Sequence, residues 1–547
     1  MGLFGGCVLT LGILTTLHLN RAQSEILSLR TSPPSTTVGL NESLTAIGYN
    51  LQAATTLTAN PVWILASTVP FLGEQLHAVS VVSSALLEAV TNGIHPAANA
   101  VIAELPELMP HNGRLNLDAI TQTQRPLEAA TRALKHACDQ LNTIKTTDLA
   151  PPLIGPIRRA QRSLETFADD VSNVTEVARI LPTALGRTEP RTYLLLFQNN
   201  AEWRSLGGVA SSLAAVEADN GTLRVVSQAN SHTMPVLTNP VRALDPEQTA
   251  IFGTQPTRWI QNVTQLPEFS EAAQTAVAMW SRTHPQRIDG VIAVDPVALS
   301  YLLQATGPVS LPGGDQITAH NAVSVLLNTV YKRYPSTAEK DTYFAEAALA
   351  VFQRLTAGHT NGRVLVQAFL KAGAEHRLLM WSPDRAEQAL INDSGLSGAL
   401  PSQHDRVCFG VYLNDATGSK MDYYQSATTT AAWAGNQPGV ASLRVYIRSH
   451  APANAANLPR YITGGGAFGV PPGTTHTLVY VYLPPGTWLT ADFSTARLVS
   501  TNTLMGGTVL SYLVTLNPGQ NATLRLRIVT PNAPNIAAQQ TPTIDAN

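Results

Sequence analysis

The hydrophobic spacing of this 547-residue chain changes twice along its length, and those changes constrain the fold more than any other feature. In the first third, apolar residues such as Leu40, Leu44 and Ile47 recur every three or four positions, which predicts amphipathic helices. From Arg191 continuous apolar runs mix with helical stripes, and from Arg406 the segments read as strands. A single hydrophobic core does not serve so long a chain. The sequence therefore predicts a multidomain α+β protein.

The chain opens with an apolar segment, residues 2–18, that contains no Asp, Glu, Lys or Arg. Its length of 17 residues lies at the lower limit for a helix that spans a bilayer. We expect an N-terminal membrane helix, with the anchor over residues 1–22; a signal peptide cleaved near Ala22-Gln23-Ser24 and a buried helix are the alternatives. The remainder is poor in Lys and rich in Thr and Asn. We therefore expect a single-pass protein of the cell membrane whose bulk is extracytoplasmic.

Three further domains and a tail are predicted behind the anchor. Residues 36–182 carry helical stripes separated by prolines, which indicates an antiparallel helical bundle. Residues 188–400 mix strands with helices, which indicates a central α/β layer domain, with a hairpin turn at Asp219-Asn220-Gly221. Residues 405–530 contain strand-like segments separated by Gly/Pro turns, as in a C-terminal β-sandwich. Residues 531–547 are expected to form a disordered tail.

Composition and missing motifs narrow the possible partners and cofactors. The formal net charge is −2 and no basic run is present, so we expect no nucleic acid partner. The sequence has no HExxH, no GxxxxGK phosphate-binding loop and no cluster of Cys and His at zinc spacing. We therefore predict no metal site and no cofactor.

The densest cluster of polar side chains follows the predicted strand 192–197 and consists of Asn199, Asn200, Glu202 and Arg204. Folds of the α/β class place ligands in loops at strand ends, and an arginine there can bind a phosphate or carboxylate through two hydrogen bonds. Gly207-Gly208 would let the backbone approach a ligand or another strand closely. The alternative is a polar turn in which Glu202 pairs with Arg204 and the two amides cap the loop.

Asp289 and Arg333 are the remaining candidates for ligand binding, and Asp295 is considered with them. Asp289 and Asp295 would share a strand face, but six residues place them about 20 Å apart, whereas paired catalytic carboxylates lie roughly 5–9.5 Å apart. Asp295 before Pro296 predicts a helix N-cap, while Asp289 stays open. Arg333 either binds a ligand or ends a helix, where a cation is favourable.

Several segments together resemble the family of bacterial membrane proteins catalogued as domain of unknown function 4012. They are residues 193–208 (YLLLFQNNAEWRSLGG), 288–309 (IDGVIAVDPVALSYLLQATGPV), 376–382 (HRLLMWS), 411–424 (VYLNDATGSKMDYY) and the helical lead-in 63–73. The resemblance extends over nearly the whole chain after the anchor. It implies a location in the bacterial envelope and carries no settled activity.

A fainter resemblance is to the LytR-CpsA-Psr phosphotransferases, which transfer glycopolymers from polyprenyl pyrophosphate to the cell wall. It rests on the order of Arg204, the run 289–295 and Tyr331-Lys332-Arg333. The Arg-Ser-Asp of that family is Arg204-Ser205-Leu206 here, and its later Pro-Arg-Asp is absent near 227–231. Mg²⁺ is expected as a cofactor only if this activity is shared.

Three functions follow as hypotheses. The first, and our main prediction, is a membrane-anchored extracytoplasmic envelope protein that binds or positions a cell-wall glycopolymer, a lipid-linked glycan or an envelope protein. The second is a divergent glycopolymer phosphotransferase in which Arg204, Asp289 and Arg333 gather around a pyrophosphate. The third is a purely structural stalk protein. The absence of catalytic motifs from the sequence favours the first.

Overall fold

The computed structural model describes residues 2–31, 37–104, 107, 113–356, 362–401, 406–435, 439–531 and 535–545. The chain divides into two compact units, one within 1–109 and 115–187 and the other within 110–114 and 188–547. Residue 36, where the predicted bundle begins, and residues 402–405, around the predicted start of the sandwich, lie outside the described residues. The architecture is multidomain α+β, as the hydrophobic spacing predicts.

The first unit is built from helices. They are α1 (Gly2–Thr31), α2 (Thr37–Thr58), α3 (Pro61–Ala66), α4 (Leu72–Glu88), α5 (His95–Glu104), α6 (Leu117–Asn142) and α7 (Pro151–Ala184). The side chains of Gln124 and Gln161 connect α6 and α7, donating to the carbonyl oxygens of Ala178 and Leu141 at 2.8 and 2.9 Å. Because position 124 lies by 178 and position 141 by 161, these two helices run antiparallel. The buried stripes of α4, α6 and α7 pack together into the core of the unit.

The N-terminal segment is helical, but its helix differs in extent from the predicted anchor at 1–22. Helix α1 continues to Thr31, and Ala22 is buried against Ile47 and Leu51 of α2. The second half of α1 therefore packs on α2 at Ala22, while Ile26 and Leu27 are 44% and 51% exposed. Among the described residues, no helix is both long enough and apolar enough to cross a bilayer by itself.

The second unit contains the remaining elements. Its helices are α8 (Pro246–Phe252), α9 (Phe269–Trp280), α10 (Pro296–Thr306), α11 (Ala322–Ser324), α12 (Val330–Arg333), α13 (Thr337–Thr356), α14 (Gly362–Ala374), α15 (Arg385–Asp393) and α16 (Arg460–Thr463). Its first strands are β1 (Arg191–Arg204), β2 (Gly207–Asp219), β3 (Thr222–Asn230), β4 (Gly290–Val294), β5 (Val309–Ser310), β6 (Gln316–Ile317) and β7 (Leu378–Trp381). Its later strands are β8 (Arg406–Asp415), β9 (Gln425–Trp433), β10 (Val440–Ser449), β11 (Thr475–Leu483), β12 (Trp488–Asp492), β13 (Arg497–Leu504), β14 (Gly507–Leu516), β15 (Asn521–Val529) and β16 (Asn535–Gln540).

A five-stranded mixed sheet in the order β3-β2-β1-β4-β7 organises residues 188–400. Strand β1 runs parallel to β4 and antiparallel to β2. Alternate residues of β4 point to opposite faces: Val291 and Ala293 pack with α9, whereas Val294 packs with α10 and α14. The sheet therefore has helices on both faces, which is the predicted layer arrangement.

Local turn chemistry is predicted correctly at two places in this sheet. Asn220 and Gly221 both have positive φ, +46° and +81°, in the two-residue turn between β2 and β3. Asp295 caps α10, because its Oδ1 accepts the backbone N–H of Ala298 at 2.7 Å, and Pro296 occupies the first helical position.

Two antiparallel-rich sheets form the sandwich, in the orders β12-β15-β10-β9 and β13-β14-β11-β8-β16. Every second residue of the inner strands is buried between them, as in Phe409, Val411 and Leu413 of β8 and Val445 and Ile447 of β10. This is the period-two pattern from which the sandwich was predicted.

The disordered tail predicted from residue 531 is wrong for residues 535–543. Strand β16 pairs in parallel with β8 and closes one edge of its sheet, and Thr541 and Thr543 behind it are almost fully buried. The Thr541 hydroxyl accepts the N–H of Leu413 at 2.9 Å and donates to the carbonyl of Ser205 at 2.8 Å. The tail thus holds β8 and the end of β1 together.

Replacing Thr541 with Val keeps the shape of the side chain and removes both hydrogen bonds. Because the N–H of Leu413 and the carbonyl of Ser205 would then lose a buried partner, we expect the free energy of unfolding to fall by about 1–3 kcal/mol. Chemical denaturation of the full chain measures this. Thr501→Val on the exposed face of β13 is the matched control and should change stability by less than about 0.5 kcal/mol. Equal effects of the two substitutions would contradict the structural role of the tail.

Candidate functional site

The predicted polar loop is part of a strand. Strand β1 continues through Arg204, with irregular register against β2 between Phe197 and Gln198 and between Asn199 and Trp203. Leu194 and Leu196 belong to the core under the mixed sheet, whereas Trp203 is fully buried in the core of the sandwich. The polar side chains between them therefore lie where one strand passes from one core to the next.

Gly208 permits the close approach of β1 and β2 at this crossing. A Cβ atom on Gly208 would lie 2.2 Å from the backbone oxygen of Asn199, a distance that no side chain tolerates. Of the two uses expected for Gly207-Gly208, the structure assigns the approach of a second strand to Gly208.

Asn199 and Asn200 connect this crossing to neighbouring elements. Asn199 Nδ2 donates to the hydroxyl of Tyr331, and its Oδ1 accepts the N–H of Ala201 at 3.0 Å. Asn200 Nδ2 donates to Asp295 Oδ2 at 2.9 Å. Both asparagines are buried, and their Nδ2 groups serve the internal structure of the unit, while Asn200 Oδ1 has no hydrogen-bond partner among the described residues.

Arg204 and Glu202 form an ion pair, which was the structural alternative for this pair. Glu202 Oε1 lies 3.0 Å from Arg204 Nη2, and its Oε2 lies 3.1 Å from Lys420 Nζ. The guanidinium also donates to the carbonyl of Trp203 at 2.8 Å and to Asn262 Oδ1 at 3.1 Å. Arg204 is therefore engaged on several sides by protein acceptors.

In this cluster, burial and ion pairing shift the pKa values in opposite directions. Burial raises the pKa of Glu202, but Lys420 and Arg204 outweigh it and hold the pKa of this carboxyl below its ordinary value. Burial likewise lowers the pKa of Lys420, and the carboxylate of Glu202 reverses that shift, so this pKa lies above the ordinary value. Each partner therefore stabilises the ionised form of the other.

A second buried network lies at the carboxyl end of β4. Arg377 Nη1 donates to Asp295 Oδ2 at 3.0 Å, its Nε to Glu375 Oε2 at 2.6 Å, and its Nη2 to the carbonyl of Thr543 at 2.7 Å. Burial raises the pKa of Asp295, although Arg377 and Asn200 oppose that shift. Sequence patterns predicted only the capping role of Asp295, because its partner Arg377 lies far along the chain.

Two buried acidic residues bind backbone N–H groups where β1 enters the sandwich. Asp422 Oδ2 accepts the N–H of Trp203 at 2.7 Å. Asp415 accepts the N–H groups of Thr417 and Gly418 at 2.9 and 2.6 Å. Burial, with Glu202 nearby, raises the pKa of Asp415 to about 6. Sequence patterns did not single out either acid.

Asp289 and Arg333 do not join this cluster. Asp289 precedes β4 at the end opposite to Asp295, where its Oδ2 accepts the N–H of Thr192 at 2.9 Å and its Oδ1 pairs with Arg287 at 3.0 Å. Arg333 ends α12 and pairs with Asp315. The predicted gathering of Arg204, Asp289 and Arg333 around a pyrophosphate is therefore wrong.

These residues also do not fit Mg²⁺, which the phosphotransferase hypothesis would require. In the part of the chain that the structure describes, no group of three or more His, Cys, Asp or Glu side chains is arranged to hold a metal ion. Glu202, the carboxylate beside Arg204, is paired with two cations. A divalent ion would have to displace Lys420 or Arg204 from it.

Part of the second unit is similar to a known protein family. Residues 188–331 match the model of the family described as protein of unknown function (DUF4012). The family resemblance is confirmed over this region. The DUF4012 region holds Asn200, Glu202 and Asp295, whereas their partners Arg377 and Lys420 come from later segments. The matched region is therefore completed by the rest of the second unit.

Other comparisons add little to the DUF4012 match. No curated protein was found to match. Among solved structures, the transcriptional regulator yvhJ from Bacillus subtilis is similar at 12% identity, covering 38% of this chain and 76% of that chain, with a TM-score of 0.22. A TM-score this low establishes no shared fold.

Sequence patterns also missed a cluster of lysines and tyrosines beside the DUF4012 region. Tyr331 and Tyr461 stack with ring centroids 5.4 Å apart. Lys340 Nζ lies 3.9 Å from the centroid of Tyr461, and Lys420 Nζ lies 5.3 Å from that of Tyr331. His232 Nε2 lies 3.3 Å from the Tyr461 hydroxyl at the exposed rim. We call these five residues the lysine–tyrosine cluster.

Removing Arg377 tests the buried network of the crossing. In Arg377→Met the carboxylate of Asp295 stays buried without its cation, so we expect the free energy of unfolding to fall by about 3–5 kcal/mol. Denaturant titration of the full chain measures the loss. Arg385→Met, at the exposed start of α15, is the control and should be nearly neutral.

The double variant Arg377→Met/Asp295→Asn distinguishes lost pairing from lost packing. A neutral amide at position 295 can still cap α10 and needs no cation, so part of the stability should return. A double variant less stable than Arg377→Met alone would contradict the pairing.

Proposed function

We propose that the protein is a membrane-tethered component of the bacterial envelope, with its bulk outside the cytoplasm, that binds or positions a glycopolymer or lipid-linked glycan. The ligand is an anionic group of the glycan, bound at the lysine–tyrosine cluster. A phosphate of a lipid-linked glycan and a phosphate or carboxylate of a wall polymer share this chemistry.

The observation that supports this proposal is the incomplete bonding of Lys340. Its ammonium has three N–H donors. It donates to the carbonyl of Pro335 at 3.3 Å and lies against the ring of Tyr461. Within the described parts of the chain, no carboxylate lies within 4.0 Å of it. A buried cation without an anionic partner gains most when an anion is supplied.

The electrostatic surroundings of Lys340 support the same proposal. Burial lowers the pKa of this ammonium and the charge of Lys420 lowers it further, while Asp341 and Glu339 oppose the shift without reversing it. A bound phosphate or carboxylate would reverse both effects, because it stabilises the charged form of the lysine. Lys340 provides the positive charge for such a ligand, because Lys420 on the other side of the stacked tyrosine pair is already paired with Glu202.

The ligand would reach Lys340 through the exposed rim of the cluster. Tyr461 is 36% exposed and His232 is exposed, while Lys340 is only 2% exposed beneath them. The hydrogen bond between His232 and Tyr461 is weak at 3.3 Å. Displacement of the Tyr461 ring would open Lys340 to an anion, and the imidazole of His232 would then stand at the mouth of the site.

The other functional hypotheses have less support. The phosphotransferase hypothesis required Arg204, Asp289 and Arg333 to share one site, and those residues are engaged separately. A protein partner presenting a carboxylate could use the same cluster, and a purely structural stalk would bind no glycan. Both become outcomes of the binding test.

Calorimetric titration of the full chain in detergent micelles with a synthetic oligo(glycerol phosphate) tests the site. Charge-assisted hydrogen bonds contribute about 1.5–3 kcal/mol, so Lys340→Met should weaken binding roughly ten- to hundredfold. Lys340→Arg should keep most of the affinity, because it keeps the charge. Lys332→Met, an exposed lysine in the preceding helix, is the control and should bind like the natural protein.

A neutral gluco-oligosaccharide of equal length should not bind if the anion carries recognition. Absence of oligo(glycerol phosphate) binding, or unchanged binding by Lys340→Met, would contradict the proposed site. Retention of an envelope protein in place of a glycan, lost in the same variant, would favour the protein partner.

A further inference from the structure

Two uncharged stretches of the sequence lie side by side in the first unit. Residues 2–20 and 43–73 contain no Asp, Glu, Lys or Arg. His18 Nδ1 and Asn50 Oδ1 lie 2.9 Å apart and join α1 to α2, and Trp63 of α3 packs against the part of α1 that contains Val8 and Leu11. Folding thus collects both stretches into one surface, which we call the apolar end: α1 up to residue 20, α2 from residue 43, α3, and residues 67–73.

The apolar end exposes large hydrophobic side chains in an unusual amount. On α1, Leu9 is 67% and Ile13 is 54% exposed. In α3 and the loop that follows it, Ile64 is 55%, Leu65 is 61% and Phe71 is 88% exposed. Single exposed hydrophobic residues are ordinary on a soluble surface, but a group of them with no charge among them marks an interaction site.

The backbone holds Phe71 in its exposed position. Its φ of +65° and ψ of −42° belong to a tight three-residue γ-turn, which the N–H of Leu72 closes on the carbonyl of Pro70 at 2.8 Å. This conformation is strained for a residue other than glycine. The loop is closed behind it at Gly73, whose N–H donates to Val69 at 2.7 Å, and a Cβ at Gly73 would lie 2.1 Å from the oxygen of Ser67. The tight loop therefore fixes the phenyl ring outward, although burial of that ring would be favourable.

The polar side chains of the apolar end permit lipid as its occupant. The hydroxyls of Thr10 and Thr16 donate to carbonyls four residues earlier in α1, at 2.9 and 2.8 Å. Those of Ser67 and Thr68 donate to carbonyls three residues earlier, at 2.7 and 2.8 Å. All four residues lie at the surface, yet each hydroxyl is satisfied within its own segment. Hydrocarbon requires such internal bonding. Thr166 on the charged helix α7 bonds in the same way, so the bonding permits contact with lipid, and the absence of charged residues from the apolar end favours it.

We propose that the apolar end is a lipid-binding surface that enters the hydrocarbon of a bilayer through α1, α3 and the loop around Phe71 together. This inference rests on the membrane tether of the proposed function and deepens it, because the tether becomes a surface of several segments rather than the N-terminal helix alone. Since the surface carries no charged residue, its affinity depends on apolar area. Anionic lipid and salt should have little influence.

Vesicle flotation of the full chain with phosphatidylcholine vesicles tests this inference. The triple variant Ile64→Gln/Leu65→Gln/Phe71→Gln changes only exposed side chains outside α1, so it should fold normally. We expect its partition coefficient onto vesicles to fall at least tenfold. Addition of phosphatidylglycerol or of salt should leave the binding of the natural protein unchanged within about twofold.

The matched control is Trp488→Gln/Phe493→Gln/Met505→Gln, which removes three large side chains of the second unit that are 56%, 62% and 64% exposed. It should float like the natural protein. If the triple variant at Ile64, Leu65 and Phe71 also floats like the natural protein, α1 alone anchors the protein. That result overturns this inference and leaves the membrane tether of the proposed function intact. If the natural protein does not float, the tether itself fails, and the glycan site remains to be judged by its own titration.

Self-association supplies the remaining outcome. If the natural protein forms dimers in the absence of lipid and the α3 triple variant is monomeric by light scattering, the occupant of the apolar end is a second copy. That result overturns the lipid assignment. If the natural protein and the triple variant are both monomeric by light scattering without lipid, the lipid assignment is supported.

Discussion

The second unit depends on one strand that belongs to two hydrophobic cores. Strand β1 contributes Leu194 and Leu196 to the core of the mixed sheet and Trp203 to the core of the sandwich. Where it crosses between them, polar groups are removed from water and must find partners inside the protein. The Glu202–Arg204–Lys420 group and the Asp295–Arg377 pair meet that requirement. Asn199 and Asn200 meet it through their Nδ2 groups, while Asn200 Oδ1 has no hydrogen-bond partner among the described residues.

This requirement explains why the polar cluster at residues 199–204, the first candidate for a ligand site, has a structural role instead. A dense set of polar side chains next to a buried strand has two explanations, a ligand or partners elsewhere in the chain. The sequence leaves both explanations open, because Arg377, Lys420 and Asp422 lie far from Asn199 to Arg204 along the chain. Only the fold brings Asp422 to the N–H of Trp203 and Lys420 to Glu202.

Features set by neighbouring residues were predictable, and features set by distant pairing were not. The hairpin turn at Asn220-Gly221 and the cap at Asp295 follow from local backbone chemistry, and the sandwich follows from strict alternation of apolar residues. The tail lacked any such local signal, because its Asn, Gln and Pro content is typical of coil. It forms β16 only because β8 offers an open edge at Arg406 to Val411. The family resemblance was predictable from the segments around Asn199 and Asp295, and it is confirmed for residues 188–331.

The two proposed interaction surfaces share a physical origin. At Lys340 a cation is buried with one carbonyl acceptor and an aromatic ring, and at the apolar end large hydrophobic side chains are held out by a tight loop. At each place, the fold holds a side chain in a position where a further interaction would stabilise it. The buried charges where β1 crosses between the two cores, by contrast, are paired with one another.

The shared strand is the claim on which this account depends, and native-state hydrogen exchange of the full chain measures it most directly. If β1 ties the two cores together, the slowest amides of the mixed sheet, in β1 and β4, and those of the sandwich, in β8 and β11, should open with one free energy and respond equally to denaturant. Two separate opening free energies, with the sheet exchanging while the sandwich stays protected, would contradict it.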